Sequence, residues 1–113
     1  MITRNLNLYL NAGMALPLII NVNQNDEEET WVFSLFDSKG IQYTPTSAVL
    51  IGLRTDGTRF SAEGLIDEND RVVISETAEI TAVNGKAICE FRIDNDTHGT
   101  ANFYLIIEKP PLK

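Results

Sequence analysis

Apolar and polar residues alternate with a period of two through almost the whole chain, which leaves room for little besides β-structure. Leu6, Leu8 and Leu10 alternate with Asn5, Asn7, Tyr9 and Asn11. In an extended strand successive side chains point to opposite faces, so one row meets a core and the other meets water. Leu16, Leu18, Ile20 and Val22 repeat the pattern until the acidic run NDEEE breaks it. Pro17 falls inside this second stretch. It has no N–H to give a ladder, so it belongs at a strand start or on an edge. WVFSLFD is nearly continuous in apolar residues, as in a central strand buried on both faces.

Turn chemistry divides the rest. DSKG is a turn in which Gly40 is free to take positive φ. SAVLIGLRT is the next strand, and Asp56-Gly57 at its end predicts a two-residue hairpin with both turn residues left-handed. TRFSAEGLI returns as its partner; DENDR is a polar turn and VVIS another strand. SETAEITAV reads either as one helical turn capped by Ser75 or Thr77, or as a strand. Asn84-Gly85 marks a further tight turn into KAICEFRI, where Ala87, Cys89, Phe91 and Ile93 share a face opposite Glu90 and Arg92. After the loop DNDTHG, the last strand sets Phe103, Leu105 and Ile107 inward and Asn102, Tyr104 and Glu108 outward. The pattern predicts an all-β fold, an antiparallel β-sandwich of about eight short strands, with at most one short helical turn near residues 75–83. Trp31, Phe33, Cys89, Phe91 and Phe103 are its expected core anchors. Residues 1–109 form one domain, and Pro110-Pro111 stiffens the exit over residues 110–113.

The charge balance narrows the partners. A formal net charge of -7, with Lys and Arg scattered, opposes binding to phosphate backbones or an anionic membrane surface. No apolar stretch approaches the roughly 20 residues of a membrane-spanning helix. Cys89 is the single cysteine, so no intrachain disulfide forms, in keeping with a reducing cytosol.

Residues able to carry chemistry are few. His98, the single histidine, sits in a polar loop and is read as a turn residue. Asp94, Asn95 and Asp96 hold a fragment of a calcium-loop pattern without its central Gly and distant Glu. Asp26 to Glu29 and Asp67 to Asp70 are further acidic runs, each with the composition of a solvated hairpin tip. Cys89 on an inward row is expected to be an inert core thiol. No phosphate loop, nucleophile elbow, paired-histidine motif or cysteine cluster is present, so neither metal, cofactor nor enzymatic activity is expected. Tyr9, Tyr43 and Tyr104 are the expected interaction surface, because aromatic rings with a polar tip suit interfaces.

The order LNLYL, LIINVNQND, WVFSLFD, AVLIGLRTDGTRF, RVVISETAEITAVNGKAICEFRI and GTANFYLIIEKPPL resembles the N-terminal domain of phage upper baseplate proteins. These occur in tailed phages and prophages of Gram-positive bacteria. The most telling pieces are RTDGTRF, ITAVNGKAICEFRI and GTANFYLIIEK. The resemblance implies a β-sandwich in a virion structural protein, made in the host bacterial cytoplasm and located in the tail baseplate. It implies a domain that attaches a receptor-binding or fibre-like part to the tail by contact with other baseplate proteins. It also implies a continuation into a coiled-coil or fibre-like region that forms a homotrimer, and no catalytic residues. The competing expectation is a carbohydrate-binding sandwich that recognises host cell-surface glycans, with Tyr9 between Asn7 and Asn11 as its platform.

Overall fold

The computed structural model describes residues 2–11 and 17–109. Within them the chain forms β1 (Ile2–Tyr9), β2 (Ile19–Asn23), β3 (Glu29–Phe36), β4 (Gln42–Tyr43) and β5 (Ala48–Leu53). β6 (Arg59–Ile66), β7 (Val72–Ser75), β8 (Gly85–Ile93), β9 (His98–Gly99) and β10 (Phe103–Glu108) follow. The two-residue strands β4 and β9 go beyond the segments visible in the sequence. Leu16 and the Pro110-Pro111 exit lie outside the described residues.

The strands form one curled sheet in the order β1-β3-β7-β6-β5-β8-β10-β2, with β4 on β3 and β9 on β8. Curling folds it into two layers. β1, β3, β4 and β7 form the first; β2, β5, β8, β9 and β10 form the second. β6 belongs to both: Arg59 to Gly64 pair with β5, and Leu65 and Ile66 pair with β7. The corner falls at Gly64, where a Cβ would stand 2.6 Å from Val72 Cγ1.

The hairpin pairings are antiparallel, as the turn signals predict. The two outermost pairings, β1 on β3 and β2 on β10, are parallel. The reason lies in the path of the chain. It leaves the first layer after β1, descends the second layer as β2, and returns beside β1 in the original direction as β3.

The alternation decides what is buried. Leu8 is buried and Leu6 and Leu10 pack against the core. Trp31, Phe33, Phe91 and Phe103 are fully excluded from water, and Cys89 lies among them. The Phe33 ring sits 4.8 Å from Phe91 and 5.3 Å from Phe103, centroid to centroid. Such a trio adds roughly 0.5–1.5 kcal/mol per pair beyond its buried area. Pro17 lies exposed just ahead of β2, the edge strand of the second layer.

Residues 77–81 form a single helical turn. The Thr81 N–H donates to the Thr77 carbonyl (3.3 Å), and Thr77 Oγ1 accepts from the Ile80 N–H (3.3 Å). Thr77 is thus the cap. The turn drives Ile80 into the core, at 1% exposure.

The Asp56-Gly57 hairpin differs from the expected two-residue form. Arg54 N–H donates to Thr58 C=O (2.8 Å), so the loop spans residues 55–57, and of its members Gly57 has positive φ (87°) while Asp56 does not. The Asp56 carboxylate accepts from the Thr58 N–H (3.0 Å) and hydroxyl (2.6 Å). That side-chain clasp keeps Asp56 out of the left-handed region and widens the turn by one residue.

Candidate interaction face

The outer surface of the second layer collects apolar residues that alternation alone would assign to water. Pairing of β2, β10, β8, β5 and β6 aligns Ile19, Tyr104, Ile88, Leu53 and Arg59 in one cross-strand row. Ile19 is 54% exposed and Ile88 42%. Tyr104 and Leu53 are half-buried against their neighbours. Beside this row, Ile106 on β10 and Ile51 and Val49 on β5 share the outward face and are also partly exposed. A groove of about 460 Å³ runs on from Val49 and Ile51 to Glu63, Arg92 and Asp96.

Charged groups punctuate this face. Lys86 Nζ lies 4.2 Å from the Tyr104 ring centroid. Arg92 donates to Asp96 Oδ1 (2.6 Å) and sits 3.9 Å from Glu90. On the inner side of this layer instead, Arg54 rides over the ring of the core residue Phe60 at 5.0 Å and donates to the Glu79 carbonyl (2.6 Å). It ties the helical turn to the β5–β6 hairpin.

The three tyrosines do not converge. Tyr104 belongs to the outer row just described. Tyr9 is on the first layer, half-buried, with its ring 5.7 Å from that of Phe36. Tyr43, on β4, donates its hydroxyl to Asp94, whose carboxylate also accepts from the Thr46 N–H (2.8 Å) and hydroxyl (3.1 Å). The acceptor role of Asp94 raises the Tyr43 pKa. Burial opposes ionisation of Asp94, but its hydrogen bonds outweigh that, and its own pKa falls.

The acidic runs remain separate. Asp67 accepts from the Arg71 backbone and guanidinium. Glu29 takes Arg4 at 2.7 Å and the Trp31 indole N–H at 2.9 Å. Glu76 is buried; one carboxylate oxygen accepts from the Glu28 and Glu29 N–H groups (3.1 and 3.2 Å), and burial raises its pKa. Among the described residues, no cluster of three or more His, Cys, Asp or Glu could hold a metal ion. His98 is exposed at the start of β9. Burial pushes the Cys89 thiol up to about 12, which keeps it protonated and unreactive.

Reasoning from the sequence singled out Tyr104 on the outer row but missed Ile19, Ile88, Leu53 and Ile51. A signal was present: AVLIGL is apolar on both of its rows, and Ile88 stands on the charged row of KAICEFRI.

No family model matches the chain, and no curated protein matches it. Among solved structures, the chain is similar to the N-terminal domain of phage TP901-1 ORF48. The TM-score is 0.73 at 12% identity, over 96% of this chain and all of that one. At that identity the likeness establishes one thing: this chain has the fold of that phage protein's N-terminal domain.

Proposed function

We propose that the chain is a structural domain of a phage tail baseplate, which anchors a receptor-binding or fibre-like segment to the tail by protein–protein contact. The observation that carries this reading is the end-to-end match in fold to the N-terminal domain of phage TP901-1 ORF48. The side chains agree with it. The interior is mainly apolar packing, with Glu76 the buried carboxylate, and the other acidic groups described above are spent on turns and ion pairs rather than gathered in a cleft. In this reading residues 1–109 are the attachment domain, and the partners are other baseplate proteins. Tyr104, with the apolar row around it, is the contact surface best placed for such a partner.

The test is immunogold negative-stain microscopy of the phage particles that carry this protein. Label at the tail tip is expected; label confined to the capsid, or none, overturns the reading. A glycan array probed with the isolated chain separates the carbohydrate alternative. Binding that is lost on Tyr9→Ala would favour that alternative and count against a purely protein-directed role.

A further inference from the structure

The outer row of the second layer has a symmetry that points to its own occupant. Ile88 stands at the middle of β8, with Lys86 two residues before it and Glu90 two residues after, all on the exposed face. Residues two apart on a strand lie on the same side, about 6–7 Å from each other. Consider a two-fold axis lying in the interface along the row Ile19–Tyr104–Ile88–Leu53. It places Ile88 against Ile88 and Tyr104 against Tyr104 of a second copy. It also reverses the strand direction, so Lys86 of each copy meets Glu90 of the other. An isologous contact requires this kind of self-complementarity.

We infer that this face is the interface of a homodimer of the domain, formed face to face about that axis. Both charges are available for it. Among the described residues Lys86 has no carboxylate in ion-pair range and rests on the Tyr104 ring. Glu90 has Arg92 alone, at 3.9 Å. Ile19 and Ile88 are among the most exposed large apolar residues described, and both sit on the axis row. Arg59 ends the row on the far side, where it would meet its own copy; the overlap therefore centres on Ile88 and Tyr104 and leaves Arg59 at the rim. The inference gives this face a second copy of the chain as its occupant in place of the other baseplate proteins proposed above; it rests on register and charge, and it stands or falls separately from the baseplate location.

Sedimentation equilibrium of the full chain tests it, run up to about 1 mM protein and about 0.15 M salt, where charge repulsion between copies is screened beyond roughly 8 Å. A monomer–dimer equilibrium is expected. Lys86→Glu and Glu90→Lys should each weaken it about tenfold by opposing like charges, and Ile88→Asp should abolish it. The double swap Lys86→Glu/Glu90→Lys restores opposite charges across the axis and should recover dimerisation to within about threefold. Circular dichroism and thermal unfolding confirm that each variant is folded; all three positions are solvent-facing. A chain that stays monomeric throughout overturns the inference. So does a double swap no tighter than the single variants, which would mean that the contact lacks this two-fold register.

Discussion

The side chain with the widest influence outside the core is Asp94. Asp94, Asn95 and Asp96 all have positive φ (55°, 57° and 70°), a conformation that costs non-glycine residues energy. Side-chain contacts hold it: Asp94 takes Tyr43 and Thr46, the Asn95 N–H donates to Ser47 Oγ (2.8 Å), and Asp96 takes Arg92. The latch binds the β8–β9 hairpin to the β4–β5 connection. Tyr43→Phe should therefore lose about 1 kcal/mol in urea unfolding, and Asp94→Ala about 2–3 kcal/mol, because it also forfeits tolerance of positive φ. Since the Asp94 pKa is lowered on folding, its contribution is fully present above the ordinary carboxylate range. It is lost as pH falls through that range toward the folded value, and Asp94→Asn should flatten this acid limb. Glu76 has the opposite sign. Burial raises its pKa, so its ionised form opposes folding at neutral pH and protonation relieves the cost. Glu76→Gln should be up to about 1 kcal/mol more stable than the parent at pH 7, an advantage that shrinks as pH falls; a loss of stability at pH 7 would contradict this account.

Among the elements, the hairpins share a connection. In the loops from Asp37 to Ile41, Arg54 to Thr58 and Asp67 to Arg71, the first N–H donates to the carbonyl four residues on. In each, the fourth N–H donates back to the first carbonyl. The fourth residue has positive φ in every case: Gly40, Gly57 and Asp70 (78°, 87° and 61°). In two of them an aspartate at the first position accepts from the third and fifth N–H groups. Glycine is the residue this geometry prefers, so Asp70→Gly should be neutral or slightly stabilising, while Asp70→Val should lose about 1–2 kcal/mol. Thermal melts of the pair decide it. Gly64 is required for a different reason. Its Cβ would enter the space of Val72 where β6 changes layers, so Gly64→Ala should destabilise by about 1–3 kcal/mol despite the higher strand propensity of alanine.

At the level of the whole molecule, one curled sheet makes the fold indivisible. β1 and β2 are its two ends, and Arg4 on β1 reaches across to the Asn21 carbonyl on β2 (2.9 Å) while also gripping Glu29. Both terminal pairings join segments distant in sequence. Unfolding should therefore be a single transition, coincident by Trp31 fluorescence and far-ultraviolet circular dichroism, and refolding should take milliseconds to seconds, as for other chains dominated by non-local pairs. Two separated transitions would show that the layers fold independently. Phe91→Ala, in the aromatic trio, should cost about 3–5 kcal/mol, a large part of the 5–15 kcal/mol typical of such a domain.

Local chemistry and distant geometry divide what was legible in the residues. The inward rows Ala87–Ile93 and Phe103–Ile107, the buried Trp31 and Phe33, the inert Cys89 and the left-handed Gly40 could all be read directly, while the turn over 77–81 was one of two readings and its cap one of two candidates. Each depends on period-two burial or on a few adjacent residues, and the hydrophobic effect and backbone sterics act the same way wherever the strand ends up. The parallel edges, the corner at Gly64, the Tyr43–Asp94 latch and the row from Ile19 to Leu53 could not. They depend on which strands become neighbours and in what register, and the pattern of any single strand is blind to both. Period-two alternation and turn chemistry set which row most segments would hide and where, at aspartates and glycines, the chain could turn. Which outward residues would meet was left to the assembled sheet, because that follows from chain crossings between layers, whose loop-closure cost and packing are settled by the whole sheet at once.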